Sequence, residues 1–227
     1  MLFRSQMTSL VLDFDGTMCH LFRNFDLKQT AVLLQKTMNR FGVVFCAKQD
    51  VFDVFAAIAA QVPDVDAKRT AYLAADAVIS EAEDLAVKTC VPVPGVEDFF
   101  LRLAPVNNYT IGIATNNSAR CVRSFLTRIG CSAPVVGRVP DNPERLKPDP
   151  WSLSEVLRLL NVPSSDSIFV GDSANDRVCC DKCGCTFVGM APTAKKKERL
   201  LKLVPSSMLV SDFYELNDKL NAILHSS

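Results

Sequence analysis

Two aspartates separated by one residue follow a short apolar run near the start of the chain. The run Ser9–Leu12 leads into Asp13, Phe14, Asp15, Gly16 and Thr17. Such an apolar run predicts a buried strand, and the glycine allows the backbone to turn where a larger residue would be strained. Because residues i and i+2 of an extended chain point the same way, the two carboxylates can face one small ligand if the extension continues that far.

A pair of carboxylates at a strand end indicates a specific chemistry. Two anions so close together need a cation. With Mg²⁺ bound, one carboxylate can ligate the metal and attack phosphorus, while the other transfers the proton of the leaving group. The pair therefore predicts a phosphoryl-transfer centre. The alternative is an acidic loop between a strand and a helix, and the motif alone does not separate the two.

Composition narrows the class of protein. The 227 residues, 48% of them hydrophobic and 22% charged, can bury a core for one large domain or for one domain with a smaller insertion. The 25 basic residues balance the 25 acidic ones, which argues against a nucleic acid or an anionic membrane as partner. No apolar run approaches bilayer length, and residues 1–12 reach Asp13 before a signal peptide is complete, so we expect a soluble, cytoplasmic protein.

The segment from about residue 20 to residue 90 has a helical pattern throughout. Apolar residues recur at helical spacing in residues 25–41, 50–61 and 67–87, and no strand signal of any strength interrupts them. Two prolines, Pro92 and Pro94, then predict a stiff return of the chain. We therefore predict an all-helical cap domain, residues 20–92, inserted into a core formed by residues 1–19 and 93–227.

Beyond Gly95, strand and helix patterns alternate. Strand patterns cover residues 109–114, 135–136, 167–170, 186–188 and 208–210, and helix patterns cover residues 96–103, 119–129, 151–160, 173–182 and 212–224. This alternation implies right-handed crossovers and a doubly wound parallel sheet, which is an α/β fold.

Polar residues follow several of the predicted strands, where an open α/β sheet binds its ligands. Thr115 and Asn116 come after the second strand and are candidates for anion binding at a helix N-terminus, although such residues also cap helices. Lys147 precedes a proline, which favours an extended backbone that can aim the ammonium; a surface lysine is the alternative. Asp172 ends a later strand, and Asp176, four residues on, also suits a first helical turn.

In this order, the four stretches resemble the signature motifs of the haloacid dehalogenase superfamily: D-x-D-G-T, a strand-end Thr, Lys-Pro and G-D-S-x-x-D. The resemblance covers essentially the whole chain, including a helical cap after the first motif, as in the branch that contains phosphoglycolate phosphatase and beta-phosphoglucomutase. It implies a Rossmann-like core. It also implies a Mg²⁺-dependent phosphatase that hydrolyses a small phosphomonoester through an aspartyl-phosphate.

The resemblance further implies a role for each matching residue. Asp13 is expected to be the nucleophile, and Asp15 the general acid and then the general base. Thr115 and Lys147 are expected to hold the phosphoryl oxygens. The expected metal set is Asp13, Asp15 through its backbone carbonyl, Asp172, and Asp176 either as a ligand or as a residue that orients the ligands.

One stretch departs from the pattern of the branch. Many members follow D-G-T with an apolar residue, any residue, an acidic residue and a small hydroxyl residue; here the run is Met18, Cys19, His20 and Leu21. His20 lies where the cap joins the core, and it either contacts the substrate or is a solvent-facing residue of the hinge. Because the acidic residue is missing, the specificity of phosphoglycolate phosphatase or of the mutase does not follow from the resemblance.

The cysteines and one run of lysines have simpler interpretations. Nine cysteines without an export signal are expected to be free thiols. Four of them lie in residues 179–185 and include a C-x-x-C pair, but they begin inside a predicted helix, so we expect small apolar residues rather than a zinc site. The run 195–197, three consecutive lysines, predicts a solvated helix face, with a basic interaction patch as the alternative.

Other functions remain open at this point. A phosphomutase uses the same two aspartates, so the motifs do not separate it from a phosphatase. A dehalogenase does not need a second acid such as Asp15. A non-catalytic binding or scaffold protein keeps the fold without turnover, although every acid and the lysine of the motifs are present here.

Overall fold

A six-stranded parallel sheet forms the centre of the computed structural model, which describes residues 9–45 and 50–225. The strands, in chain order, are β1 Ser9–Leu12, β2 Cys19–His20, β3 Val91–Pro92, β4 Thr110–Ala114, β5 Val135–Val136, β6 Ser167–Gly171, β7 Thr186–Met190 and β8 Leu209–Val210. The sheet has the order β5-β4-β1-β6-β7-β8, and all its neighbours are parallel. The predicted doubly wound α/β fold is confirmed.

Helices cover both faces of the sheet. They are α1 Leu27–Met38, α2 Asp53–Gln61, α3 Val65–Ala86, α4 Val96–Asp98, α5 Ala104–Val106, α6 Ala119–Arg128, α7 Trp151–Leu160, α8 Ala174–Cys183, α9 Ala194–Leu200 and α10 Phe213–His225. A π-helical turn, Phe99–Leu103, joins α4 to α5. Within the described ranges, no helix combines the length and the apolar character that crossing a bilayer requires.

The central strand β1 divides the core into two layers. Leu10 and Leu12 pack with α6 and α10 on one side, whereas Val11 packs with α7, α8 and α9 on the other. All three side chains are fully buried. Successive residues of a strand point to opposite faces of the sheet. Because both faces of β1 are buried, its sequence is a continuous apolar run up to Asp13.

Helices α1, α2 and α3 form an insertion between β2 and β3 with an apolar cluster of their own. Side-chain oxygens of Asp26 and Asp64 cap α1 and α3, which fixes where these helices begin. Between them pack buried residues that include Leu34, Phe55 and Ile79. The division of the chain into a cap, residues 20–92, and a core on either side of it stays a prediction. Residues 1–8 and 226–227 of the predicted core and residues 46–49 of the predicted cap lie outside the described ranges.

Two short strands, which the residue pattern does not predict, form the junction of the insertion and the core. β2 and β3 pair antiparallel, with Cys19 opposite Pro92 and His20 opposite Val91. The amide of Val93 extends the pairing by donating to the Met18 carbonyl at 2.9 Å. Each strand is only two residues long, and neither Cys19–His20 nor Val91–Pro92 is a run of β-branched residues such as the one that indicates β5, so the sequence did not indicate them.

A buried ion pair ties α3 to the sheet. Arg138, just after β5, donates from Nε to Asp76 at 2.6 Å, from Nη1 to Glu83 at 3.1 Å and from Nη2 to Ser80 at 3.0 Å. The side chains of Arg138 and Glu83 are both 0% exposed. Nη1 of Arg138 also donates to the carbonyl of Asn116, in the loop after β4. The insertion is therefore attached to the strand-end loops of the core by charge-assisted hydrogen bonds.

We expect Glu83→Ala to destabilise the protein by about 3–5 kcal/mol, because it leaves the buried Arg138 guanidinium with Asp76 as its remaining carboxylate partner. Glu81→Ala, an exposed position of the same helix, is the matched control and is expected to change stability by no more than about 0.5 kcal/mol. Urea denaturation measures both variants. Equal unfolding midpoints would contradict the importance of the pair.

Candidate active site

The first aspartate of the pair lies directly after β1 and is buried. Its amide donates to the Val170 carbonyl of β6 at 2.9 Å, which fixes the backbone of Asp13 in the sheet. Its Oδ1 is 2.5 Å from Lys147 Nζ, and its Oδ2 accepts from Thr17 Oγ1 at 3.2 Å. Asp13 is 5% exposed, so both oxygens are held by these contacts in a largely dry environment.

Lys147 links three strand ends. Besides Asp13, its ammonium contacts Asp176 Oδ1 at 2.6 Å and donates to the Ala114 carbonyl at the end of β4 at 3.2 Å. The amide of Lys147 donates to Asn116 Oδ1 at 2.7 Å, and Asn116 Nδ2 donates back to the Lys147 carbonyl. The bond between Lys147 and Pro148 is cis. Asn116 therefore positions Lys147, and its predicted contact with substrate stays a prediction.

Asp176 belongs to the capping box that begins α8. Its Oδ2 accepts from the Ser173 amide at 3.0 Å, from Ser173 Oγ at 2.6 Å and from the Asp172 amide at 3.2 Å, while Ser173 Oγ accepts from the Asp176 amide. With Oδ1 on Lys147, both oxygens of Asp176 are engaged. These contacts fix the loop that carries Asp172 to the end of β6.

Three carboxylates form an acidic cluster at this edge of the sheet: one ligand atom each of Asp13, Asp172 and Asp176 lies within 4.8 Å of the others. Burial raises the pKa of Asp13 to about 7, against the opposing charge of Lys147, and burial together with Asp176 raises the pKa of Asp172 to about 6. Burial alone would lower the pKa of Lys147, but its two ion pairs raise it. The cluster thus favours binding of additional positive charge.

Asp15 faces a different partner, because the chain leaves the extended conformation at Phe14. The amides of Thr17 and Met18 both donate to the Phe14 carbonyl, which turns the backbone. Asp15 Oδ1 then accepts from the Leu21 amide at 2.8 Å, and burial raises the pKa of Asp15 to about 6. Its carboxylate is therefore outside the acidic cluster and lines an adjoining cleft.

Thr115 lies directly after β4, and a chain of hydrogen bonds connects it to Glu83 of the insertion. Its hydroxyl donates to Asn117 Oδ1 at 3.1 Å, and Asn117 Nδ2 donates to Glu83 at 2.9 Å. The second oxygen of Glu83 accepts from the Ser118 amide at 3.0 Å, at the N-cap of α6. No residue pattern indicates this role of Glu83, because it is one of several acids in α3 and only its orientation distinguishes it from the others.

A second lysine was also missed at the site. The run 195–197 was expected to be a solvated helix face, but Lys196 is half-buried and its ammonium contacts Asp172 and the Gly16 carbonyl, whereas Lys195 and Lys197 are exposed. Gly16, at φ +90°, leaves the space: a Cβ there would clash with Lys196 and Asp172. One feature of the sequence could have indicated this role: the lysines follow the end of β7, and an open α/β sheet binds its ligands beyond the ends of its strands.

His20 lies beside the same cleft, at the junction of the insertion and the core. It is half-buried, and burial, followed by the charges of Lys196 and Arg23, lowers its pKa. These effects favour the neutral form of the imidazole. Its predicted part in substrate binding stays a prediction.

The cysteines of residues 179–185 pack against the sheet. Cys179 and Cys180 are fully buried in the layer with α7 and α9, and Cys183 and Cys185 pack against that layer from its edge. They pack as small apolar residues, and Cys180 and Cys183 also donate thiol hydrogen bonds to the carbonyls of Cys185 and Pro150. The absence of zinc there stays a prediction.

Comparison with known proteins agrees with this geometry. The family model of the haloacid dehalogenase-like hydrolases matches residues 10–190, which include every residue of the acidic cluster. The phosphoglycolate phosphatase of Pseudomonas fluorescens (strain Pf0-1) is 28% identical over 149 residues, which cover 58% of this chain and 53% of that protein. The match thus spans about half the length of this relative.

Solved structures of the same superfamily share the fold. A predicted phosphoglycolate phosphatase from Haemophilus somnus is 17% identical, with a TM-score of 0.58 and coverage of 93% of this chain and 96% of that one. A HAD-superfamily hydrolase from Ehrlichia chaffeensis is 16% identical, with a TM-score of 0.58 and coverage of 96% and 98%. The chain belongs to the haloacid dehalogenase-like hydrolase family.

Proposed function

We propose that this hydrolase is a Mg²⁺-dependent phosphatase that cleaves a small phosphomonoester through an aspartyl-phosphate on Asp13. The observation that carries the proposal is the contact set of Asp13: a buried carboxylate at a strand end, held by Lys147 and Thr17 beside two further carboxylates. A nucleophile of this kind needs fixed orientation and a nearby cation. The phosphatase name of the Pseudomonas relative supports the same reaction class.

The donor set fits magnesium. Even when Asp15 holds the proton for the leaving group, the three carboxylates Asp13, Asp172 and Asp176 outnumber the two ammonium groups Lys147 and Lys196 by one negative charge. Oxygen ligands and an excess of this size suit a small divalent cation. When bound, Mg²⁺ neutralises charge on the phosphoryl oxygens. We propose Asp13, Asp172 and the Asp15 carbonyl as its ligands, with Asp176 orienting them, because Asp176 Oδ2 already accepts three hydrogen bonds from the loop that carries Asp172 and Oδ1 pairs with Lys147.

The remaining steps use side chains of this chain. An oxygen of Asp13 attacks phosphorus while the ester P–O bond breaks, and Asp15 gives its proton to the leaving oxygen. Water then attacks phosphorus of the aspartyl-phosphate while Asp15 takes the proton of that water. The bond between phosphorus and the Asp13 oxygen breaks, which releases inorganic phosphate and restores the Asp13 carboxylate. Lys147 and Thr115 hold phosphoryl oxygens. A pKa of about 6, raised by burial, suits Asp15 to donate and accept a proton near neutral pH.

Asp13→Asn tests the nucleophile. An amide neither attacks phosphorus nor ligates the metal as a carboxylate does, so we expect phosphate release from a panel of phosphomonoesters to fall by at least about four orders of magnitude. Asp166→Asn, at an exposed position, is the control and keeps wild-type turnover. Comparable activity in a folded Asp13→Asn variant would exclude this role. An isomeric sugar phosphate in place of free phosphate would indicate a mutase.

Asp15→Asn tests the proton transfer. With an alkyl phosphate the variant loses both its acid and its base, and we expect turnover to fall by about two to four orders of magnitude. 4-Nitrophenyl phosphate has a leaving group that needs no proton, so the variant should still release a burst of nitrophenol before slow phosphate release. The same loss for both substrates, without a burst, would count against Asp15 as the acid.

Metal removal tests the cofactor. Treatment with EDTA should abolish turnover, and Mg²⁺ should restore it while Ca²⁺, which is larger and accepts more ligands, should not. Independently of turnover, Mg²⁺ should raise the thermal midpoint of the wild type and of Asp166→Asn, but not of Asp172→Asn. Full activity after exhaustive chelation would contradict the proposal.

A further inference from the structure

The loop after β4, residues 115–118, carries the proposed phosphoryl-binding threonine. The carbonyl just before Thr115 accepts from the Lys147 ammonium, which also contacts Asp13, so the loop begins close to the proposed nucleophile. Asn117 contacts the Thr115 hydroxyl twice: its Oδ1 accepts the hydroxyl hydrogen at 3.1 Å, and its amide donates to the hydroxyl oxygen at 3.2 Å. The position of this hydroxyl therefore depends on the position of Asn117.

Four hydrogen-bond donors face the carboxylate of Glu83 on α3, and two of them come from this loop. Oε1 accepts from Asn117 Nδ2 at 2.9 Å and from Arg138 Nη1 at 3.1 Å. Oε2 accepts from the Ser118 amide at 3.0 Å and from Arg138 Nη2 at 3.3 Å. Because Glu83 is 0% exposed, these donors rely on its carboxylate instead of on bulk water. The carboxylate thus fixes the loop to the insertion.

Arg138 and Gly137 fix the backbone of the same loop. The Arg138 guanidinium donates to the Asn116 carbonyl at 2.9 Å, and the Arg138 backbone amide donates to the Asn117 carbonyl at 3.0 Å. Gly137 permits this close approach, because a Cβ there would lie 2.6 Å from the Asn117 oxygen. Glu83 holds the guanidinium through both of its oxygens, so it acts on the loop directly and through Arg138.

We propose that Glu83 is a positioning residue for phosphoryl transfer: through Asn117 it sets where the Thr115 hydroxyl meets the phosphoryl group. The inference rests on the proposed phosphatase function, in which Thr115 holds a phosphoryl oxygen. A misplaced hydroxyl forms a weaker hydrogen bond in the transition state, which lowers the rate. A helix of the insertion thus supports the phosphoryl-binding loop of the core.

Glu83→Gln tests the proposal with a side chain of the same size. Each oxygen of Glu83 faces two donors, so the NH₂ group of a glutamine opposes donors whichever way the amide turns. With the full-length protein, Mg²⁺ and 4-nitrophenyl phosphate, we expect kcat/KM to fall about tenfold, the loss typical of one hydrogen bond to a charged group.

Asp76→Asn is the matched control, because Asp76 is the other carboxylate partner of Arg138 and also lies on α3. Its Oδ1 accepts from Arg138 and its Oδ2 from the Ser80 hydroxyl, which can turn to accept from an amide. We expect this variant to lower the urea midpoint, as Glu83→Gln does, while kcat/KM stays at the wild-type value. An equal fall in kcat/KM in both variants would assign the effect to lost stability and overturn the proposal.

A double-variant cycle with Thr115→Val separates positioning from stability. Thr115→Val removes the hydroxyl on which Glu83 is proposed to act. Adding Glu83→Gln to Thr115→Val should therefore lower kcat/KM no further, although it still lowers the urea midpoint. Losses of kcat/KM that multiply would leave Glu83 as a structural partner of Arg138 and exclude the positioning role.

Asn117→Ala covers the case in which Glu83→Gln does not fold, because it leaves the ion pair of Glu83 and Arg138 intact. We expect kcat/KM to fall about tenfold, with no further fall when Thr115→Val is added. Wild-type kcat/KM in Asn117→Ala would contradict the proposal.

Calorimetry with inorganic phosphate and Mg²⁺ gives a readout besides turnover. Thr115→Val, Asn117→Ala and Glu83→Gln should each weaken phosphate binding about tenfold, whereas Asp76→Asn should not. Wild-type affinity in Asn117→Ala, or no phosphate binding by the wild type, would overturn the proposal. Failure of the phosphatase function is distinct: the wild type then releases phosphate from no phosphomonoester, including 4-nitrophenyl phosphate, while the titration still decides whether Glu83 and Asn117 position the loop.

Discussion

The buried ammonium of Lys147 is the contact on which the arrangement of the site depends. It lies between Asp13 and Asp176, which come from two different strand ends, and it also donates to the carbonyl that ends a third strand. Without it, two nearby carboxylates would repel each other in a region of low dielectric. Three segments distant in sequence are therefore kept together by one charge, and the carboxylate of Asp13 is held in one orientation.

Much of the architecture follows from residue patterns. Residues 151–160 carried a helical period, and the helix found there is Trp151–Leu160; the weak signal at residues 135–136 corresponds to β5. The acids and the lysine after the strands were found because parallel strands bring all their carboxyl ends to one edge. Residues at this edge can be far apart in sequence. Their position directly after a strand therefore predicts that they lie close together, although no short stretch of sequence shows it.

Other features depend on orientation, which a pattern of residue types does not encode. Glu83 has acidic neighbours in α3, and only the angle at which the helix lies directs this one side chain to Arg138 and Asn117. Lys196 differs from Lys195 and Lys197 by a rotation of about 100° per residue around the helix axis. The spacing of Asp13 and Asp15 suggested one shared ligand, but a turn at Phe14 gave their carboxylates different hydrogen-bond partners.

The contacts of Arg138 limit how the insertion can be replaced by that of another protein. The arginine belongs to the sheet side of the molecule, but its carboxylate partners all lie on α3 of the insertion. If the insertion were replaced by one without acids at these positions, the buried Arg138 guanidinium would lose its carboxylate partners. If instead the loop after β5 were replaced by one without an arginine, the buried Glu83 would lose its cation. An exchange of the insertion therefore preserves this buried ion pair only when α3 and the loop after β5 are transferred together.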